Sequence, residues 1–179
     1  MTEPPLTLHP ERIRHWRRLK HPLRAPRALR PWLTDTGSLT RLLQRVSKGH
    51  FSVRVLSQRY GQPSSAEASA LGLRARQRAL IREVLLCGHG EPWVFARTLI
   101  PVTSLNGRQR ALKQIGNRPL GALLFRDPQM QREPLQIASL PNSAGEDFWA
   151  RRSVFHLAGK PLLVCEVFLT PPGTLQYPG

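Results

Sequence analysis

Cysteine, acidic residues and long apolar runs are all scarce in this chain. Its 179 residues hold 2 Cys, and 11 Asp and Glu stand against 27 Lys and Arg, a formal charge of +16. Cys87 and Cys165 lie singly inside apolar runs. With no second pair, a disulfide framework or a cysteine zinc site is excluded, and both are expected to be reduced, buried thiols. The longest apolar stretches, such as residues 161–169, fall well short of the ~20 residues that span a bilayer. The first residues also lack the charged start, apolar middle and small-residue cleavage site of a secretory signal, so a soluble cytoplasmic protein is expected.

Chemical signatures are sparse too. Gly88 and Gly90 precede neither a helix start nor a Lys-Ser/Thr pair, which argues for a hairpin turn over a phosphate loop. His9, His15, His21, His50, His89 and His156 never pair at helical spacing with a carboxylate ligand, so no catalytic metal is expected. There is no Gly-x-Ser-x-Gly elbow and no base near Cys87, which removes the usual covalent hydrolases.

What is present is enough apolar residue, 40% of the chain, to bury one core of ordinary size. The basic excess is uneven. Arg12, Arg14, Arg17, Arg18, Lys20, Arg24, Arg27 and Arg30 crowd the first thirty residues, interleaved with prolines that block a long helix. Residues 1–30 are expected to form an extended or partly ordered arm, and residues 31–179 a single domain.

Within that domain, Ser38 can cap a helix carrying Leu39, Leu42, Leu43 and Val46, with Gly49 at its end. Phe51, Val53 and Val55 then alternate like a strand. Residues 66–79 fit either a short helix or an irregular crossover. Residues 81–86 and 93–100 form a predicted hairpin about Gly88 and Gly90, and residues 152–157 and 161–169 a second about Ala158, Gly159 and Lys160. A helix over 104–115, ended by Gly116, and a strand over 135–140 complete the pattern, before an irregular tail marked by Pro171, Pro172 and Pro178. Strands that pair with sequence neighbours imply an α+β fold, a single antiparallel sheet with helices packed on one side.

Two charged residues interrupt strands that should be apolar: Arg82 in Ile81-Arg82-Glu83-Val84-Leu85-Leu86, and Glu166 in Val164-Cys165-Glu166-Val167-Phe168. Alternation alone favours their pointing to solvent; burial would demand a reason. Arg97, Arg151 and Arg152 also fall in strands, where they either guide an anion or merely solubilise the surface, the second being the commoner role.

The segments Arg82-Glu83-Val84-Leu85-Leu86-Cys87, Gly90-Glu91-Pro92-Trp93, Ala96-Arg97-Thr98, Pro119-Leu120-Gly121, Trp149-Ala150-Arg151-Arg152-Ser153 and Gly159-Lys160-Pro161-Leu162-Leu163 follow one another as in the chorismate pyruvate-lyase family, which the chain resembles over about residues 81–169 and more weakly around Ser38-Leu39-Thr40. The resemblance implies a chorismate-lyase-like α+β domain over residues 31–179. It implies a lyase that converts chorismate to 4-hydroxybenzoate and pyruvate without a cofactor, feeding ubiquinone synthesis. It assigns Arg82 to the ring carboxylate and Glu166 to the ring hydroxyl, with backbone donors at Leu120 and Leu39. A monomer with no obligatory nucleic-acid partner is expected.

Two other classes bear on the same residues. Sensor domains of bacterial regulators share a related fold and could keep the pocket without turnover, although the helix-turn-helix that normally precedes them has no counterpart in residues 1–50. The basic arm, with Trp16 among its arginines, could meet nucleic acid by stacking or an anionic membrane by charge, while a solvated tail is the plainer reading.

Overall fold

The structure is a computed structural model and describes residues 8–18, 24–169 and 175–178. Its strands are β1 (Arg17–Arg18), β2 (Phe51–Gly61), β3 (Ala79–Gly88), β4 (Glu91–Pro101), β5 (Gln131–Arg132), β6 (Gln136–Leu140), β7 (Phe148–Leu157) and β8 (Lys160–Phe168). Its helices are α1 (Arg30–Thr34), α2 (Leu39–Val46), α3 (Ser65–Leu71) and α4 (Leu120–Leu124). All the strands join one antiparallel sheet in the order β1-β6-β7-β8-β4-β3-β2, with β5 pairing β7 off that path. The α+β fold expected from the sequence is therefore present.

The two central hairpins follow from local chemistry. β3–β4 turns through His89 and Gly90 at φ 52° and 80°, and β7–β8 through Ala158 and Gly159 at φ 51° and 74°. Two-residue turns with positive φ match the twist of the flanking strands. Gly88, just before the first turn, is required for another reason. A Cβ there would stand 2.0 Å from the Trp93 ring, which lies across the glycine. We expect Gly88→Ala to expel that indole and cost about 1–3 kcal/mol, the usual size of an overpacking penalty, read from the urea midpoint.

Adjacent strands place Leu80, Arg82, Val84 and Leu86 of β3 on the same face as Ile100, Thr98, Ala96 and Val94 of β4. That face continues through Leu162, Val164, Glu166 and Phe168 of β8 to Phe155, Ser153, Arg151 and Trp149 of β7. α1 and α2 cover it with Trp32, Leu33, Leu39 and Leu43, and α4 adds Leu124. Ser38 caps α2 by accepting the N–H of Arg41 at 3.3 Å, as its position predicts.

The opposite face corrects the expectation of helices on one side only. α3 packs there against Ala79, Ile81, Leu99, Val154 and Leu163, and Leu8, Ile13 and Trp16 of the basic arm cover Phe95, Cys165 and Val167. Pro10 is buried, and Arg17–Arg18 pair with Gln136 and Ile137 of β6. Arg152 lies under Trp16, its guanidinium carbon 4.5 Å from the ring centre. Apolar residues hidden among the arginines thus fix the described part of the arm.

One element and one strand start differ clearly from expectation. Residues 104–115 do not form an α-helix; a 3-10 turn over Val102–Ser104 and 3-10 turns over Gly107–Gln114 replace it. Gly107 at φ 56° breaks the chain, and of residues 107–114 only Leu112 is buried. β7 starts at Phe148, four residues earlier than predicted, because Arg151 masks its apolar pattern. In the ambiguous stretch 66–79, both readings apply in part: α3 carries a Ser64–Glu67 capping box, ends at Gly72 with φ 66°, and gives way to an irregular segment. The tail prolines Pro171 and Pro172 lie outside the described residues.

Candidate active site

A narrow pocket lies on the face covered by α1, α2 and α4, floored by Val84, Ala96, Thr98 and Val164 and roofed by Leu39, Thr40, Pro119, Leu120 and Gly121. The small side chains of Ala96 and Thr98 on β4 leave the central space. Gly121 lets α4 approach α2 closely, since a Cβ there would meet Thr40 Oγ1 at 2.7 Å. The central space therefore depends on three small residues placed between large ones.

All four residues singled out in the sequence line this pocket. Arg82 points into the covered face and is 3% exposed, so the solvent-facing reading fails for it. Its Nη1 donates to Gln58 Oε1 at 3.2 Å and its Nη2 to the Arg118 carbonyl at 3.4 Å, both long bonds. Among the described residues no carboxylate lies within 4 Å of it. Burial accordingly pushes the Arg82 pKa down, since water is lost and no counter-charge replaces it.

Glu166 stands on β8, separated from Arg82 by β4, which puts two strand spacings, roughly 10 Å, between their backbones. Its Oε2 accepts from Arg151 Nε at 2.6 Å, while Arg151 Nη1 donates to the carbonyls of Trp32 and Asp35 at 2.8 and 2.7 Å. Arg151, 1% exposed, thereby clamps the carboxylate and ties the α1 end to the sheet. Among the described residues Oε1 meets no donor, which leaves it for another. Leu39 and Leu120 are the first residues of α2 and α4, where a backbone N–H has no intrahelical acceptor.

Two further arginines line this wall: Arg151, which the sequence offered for guiding an anion but not as a site residue, and Arg132, which it did not raise. Arg151 had a signal, because in Arg151-Arg152 alternation must send one side chain to each face of the strand. Arg132 had none, since β5 is two residues long. Its Nε donates to Ser153 Oγ at 2.9 Å, its Nη1 to the Thr36 carbonyl at 2.9 Å and the Gly37 carbonyl at 3.4 Å, and the guanidinium lies 4.8 Å from the Phe155 ring centre. Burial, then the nearby Arg151 charge, lower its pKa well below the usual arginine range.

Arg97 belongs elsewhere. It is 4% exposed on the opposite face, so it neither solubilises the surface nor faces the pocket. Its Nε and Nη2 meet both oxygens of Glu67 at 2.7 and 3.2 Å, and Nη1 meets Glu83 Oε1 at 2.6 Å. Burial works against its charge, but the two carboxylates outweigh that and raise its pKa. Both thiols are buried and outside the pocket, with Cys165 pushed up by burial and by the Glu166 charge.

Fold and pocket together define an α+β domain whose pocket is lined by three guanidinium groups and one carboxylate among the described residues. In fold it is similar to the effector domain of PhnF from Mycobacterium smegmatis (TM-score 0.54, 14% identity, covering 75% of this chain and 89% of that one). It is similar also to the C-terminal domain of the histidine utilization repressor from Pseudomonas syringae (TM-score 0.52, 15% identity, 72% and 96%). At such identities the likeness concerns the fold alone.

Sequence relatives are much nearer. The family described as chorismate lyase matches residues 13–174. A protein of Marinobacter nauticus named as a probable chorismate pyruvate-lyase is 48% identical over 150 residues, 83% of this chain and 79% of its own length. Another so named, from Azoarcus sp., is 44% identical over 187 residues, 95% and 97% of the two chains. The chain belongs to the chorismate lyase family and is a lyase.

Proposed function

We propose that the chain eliminates pyruvate from chorismate and releases 4-hydroxybenzoate. The observation that carries this reading is Arg82, a buried guanidinium that among the described residues meets no carboxylate and faces, across β4, a carboxylate with one oxygen unpartnered. A guanidinium fork suits a ring carboxylate through two charge-assisted hydrogen bonds. Glu166 Oε1 then accepts from the ring hydroxyl, and the amides of Leu120 and Leu39 supply further donors.

Chorismate carries its enolpyruvyl ether and hydroxyl on neighbouring ring carbons in a trans relation. The hydrogen on the hydroxyl-bearing carbon is therefore on the same face as the ether. That hydrogen passes to the enol methylene through a six-membered arrangement, which becomes the methyl group of pyruvate. The ring C–O bond breaks, its oxygen becomes the pyruvate keto group, and the ring gains the double bond that makes it aromatic. Such a reaction needs a fixed reactive conformer in a dry pocket more than it needs an external base. Because Arg151 fixes Oε2 of Glu166, that carboxylate is built to orient the hydroxyl.

Incubation of the purified protein with chorismate and EDTA, followed by chromatography, checks the reading. Equal amounts of 4-hydroxybenzoate and pyruvate are expected; intact chorismate refutes it. The family resemblance further supports a monomer working in the cytoplasm at the entry to ubiquinone synthesis. The exposed Arg14, Arg17 and Arg24 support weak contact of the arm with anionic membrane, each such charge adding about 1 kcal/mol near a surface. Cosedimentation with anionic vesicles, unchanged when all three are replaced by glutamate, overturns that contact.

A further inference from the structure

The pocket holds more positive charge than one ring carboxylate uses. Arg82, Arg132 and Arg151 line it together with Glu166 alone among acids, and the Arg151–Glu166 pair cancels. Two guanidinium groups are left, Arg82 and Arg132. Neither has a carboxylate within 4 Å among the described residues. Asp35, an acid outside the lining, is already engaged by the Gly37 N–H at 2.7 Å and the Tyr177 hydroxyl at 2.6 Å.

We propose that Arg132 is a second anion anchor, which takes the carboxylate of the substrate's enolpyruvyl arm and makes the site selective for a dianion. This rests on the lyase reading of the same pocket. Position supports it first. Arg132 bonds Ser153 of β7, which pairs with Val164 of β8 two residues from Glu166, whereas Arg82 lies beyond β4 on β3, so Arg132 stands at the Glu166 end, across the sheet from Arg82. The enolpyruvyl ether is attached beside the carbon whose hydroxyl Glu166 takes. With the ring carboxylate on Arg82, the arm's carboxylate falls at the end where Arg132 stands.

Geometry supports it second. Ser153, the Thr36 and Gly37 carbonyls and the Phe155 ring hold the guanidinium in one orientation, while Nη2 has no acceptor among the described residues. A held, half-buried cation with an N–H that meets no acceptor among the described residues is preorganised for a carboxylate. When the ring C–O bond breaks, that carboxylate leaves on pyruvate. Arg132 therefore contributes to binding chorismate and not to binding 4-hydroxybenzoate.

That asymmetry separates recognition from a merely structural tie. If Arg132 only moored the Thr36–Gly37 loop, its loss would disturb the start of α2 and weaken both ligands alike. The test measures KM and kcat for chorismate, and the Kd of 4-hydroxybenzoate by calorimetry, in the wild-type chain, Arg132→Met, Arg132→Lys and Arg82→Met. Arg132→Met is expected to raise KM by about 30-fold or more, the lower end for a desolvated charge pair, with 4-hydroxybenzoate affinity kept within about twofold and partial recovery in Arg132→Lys. Arg82→Met weakens both ligands. Equal losses for both ligands in Arg132→Met, or no change in either, overturn the assignment while leaving the lyase intact. A wild-type protein that binds neither ligand removes the lyase reading itself and this assignment with it. Where Arg132→Met does not fold, wild-type protein is offered chorismate esterified on the arm carboxylate. Binding as tight as chorismate overturns the proposal, and binding about 30-fold weaker upholds it.

Discussion

Arg82→Ala is expected to lower kcat/KM for chorismate by roughly 30- to 5,000-fold, corresponding to about 2–5 kcal/mol of lost binding to a buried charge partner. The loss falls on function more than on stability. In the folded protein the Arg82 guanidinium makes two long bonds, to Gln58 and to the Arg118 carbonyl, and no ion pair among the described residues. Its removal takes away a desolvation cost along with those bonds. Steady-state kinetics beside a urea melt checks both halves. Near-normal turnover in the variant removes Arg82 as carboxylate anchor; a melting midpoint that collapses with activity makes it a structural residue instead.

The opposite face is expected to behave in the reverse way. Glu67→Ala costs about 3–5 kcal/mol of unfolding free energy, because it strips both oxygens from the buried Arg97 and leaves that cation with Glu83 alone. The same carboxylate closes the α3 capping box by accepting the Ser64 N–H at 2.9 Å, so the helix start loosens as well. Chorismate kinetics measured well below the melting midpoint should hardly change, since Glu67 and Arg97 lie across the sheet from the pocket. A stability loss under about 1 kcal/mol would mean that water replaces Glu67 at no cost, which the 5% and 6% side-chain exposures of the pair argue against. With Arg82→Ala, this variant separates the chemistry of one sheet face from the anchoring of the other.

Why these two arginines differ was not legible in the chain. Arg82 and Arg97 are paired across the β3–β4 hairpin in opposite parity: Arg82 sits opposite Thr98, and Arg97 opposite Glu83. Sequence alternation reveals that parity, and so reveals that they face opposite sides. It does not say that both sides are buried. Amphipathic alternation marks a strand with one wet face, whereas here α1, α2 and α4 cover one face and α3 with the arm covers the other. The cover on the second side comes from Leu8, Ile13 and Trp16, apolar residues scattered through a segment whose charge and prolines read as an arm.

Local chemistry by itself determined the hairpins at Gly90 and Gly159, the Ser38 cap of α2, the antiparallel α+β class and, through resemblance, the family, and it pointed to four residues that line one pocket, Arg82, Glu166, Leu120 and Leu39. These depend on short-range sterics or on segments of contiguous sequence, so they survive without knowledge of the fold. The tertiary structure alone decided that Arg82 lacks a counter-ion among the described residues, that Arg151 holds Glu166, that Arg132 from a two-residue strand reaches the same cavity, and that Arg97 does not. Those are statements about which charges meet after the backbone has closed. A guanidinium looks the same in sequence whether a carboxylate fifteen positions away, as Glu166 is from Arg151, neutralises it or leaves it bare for a ligand.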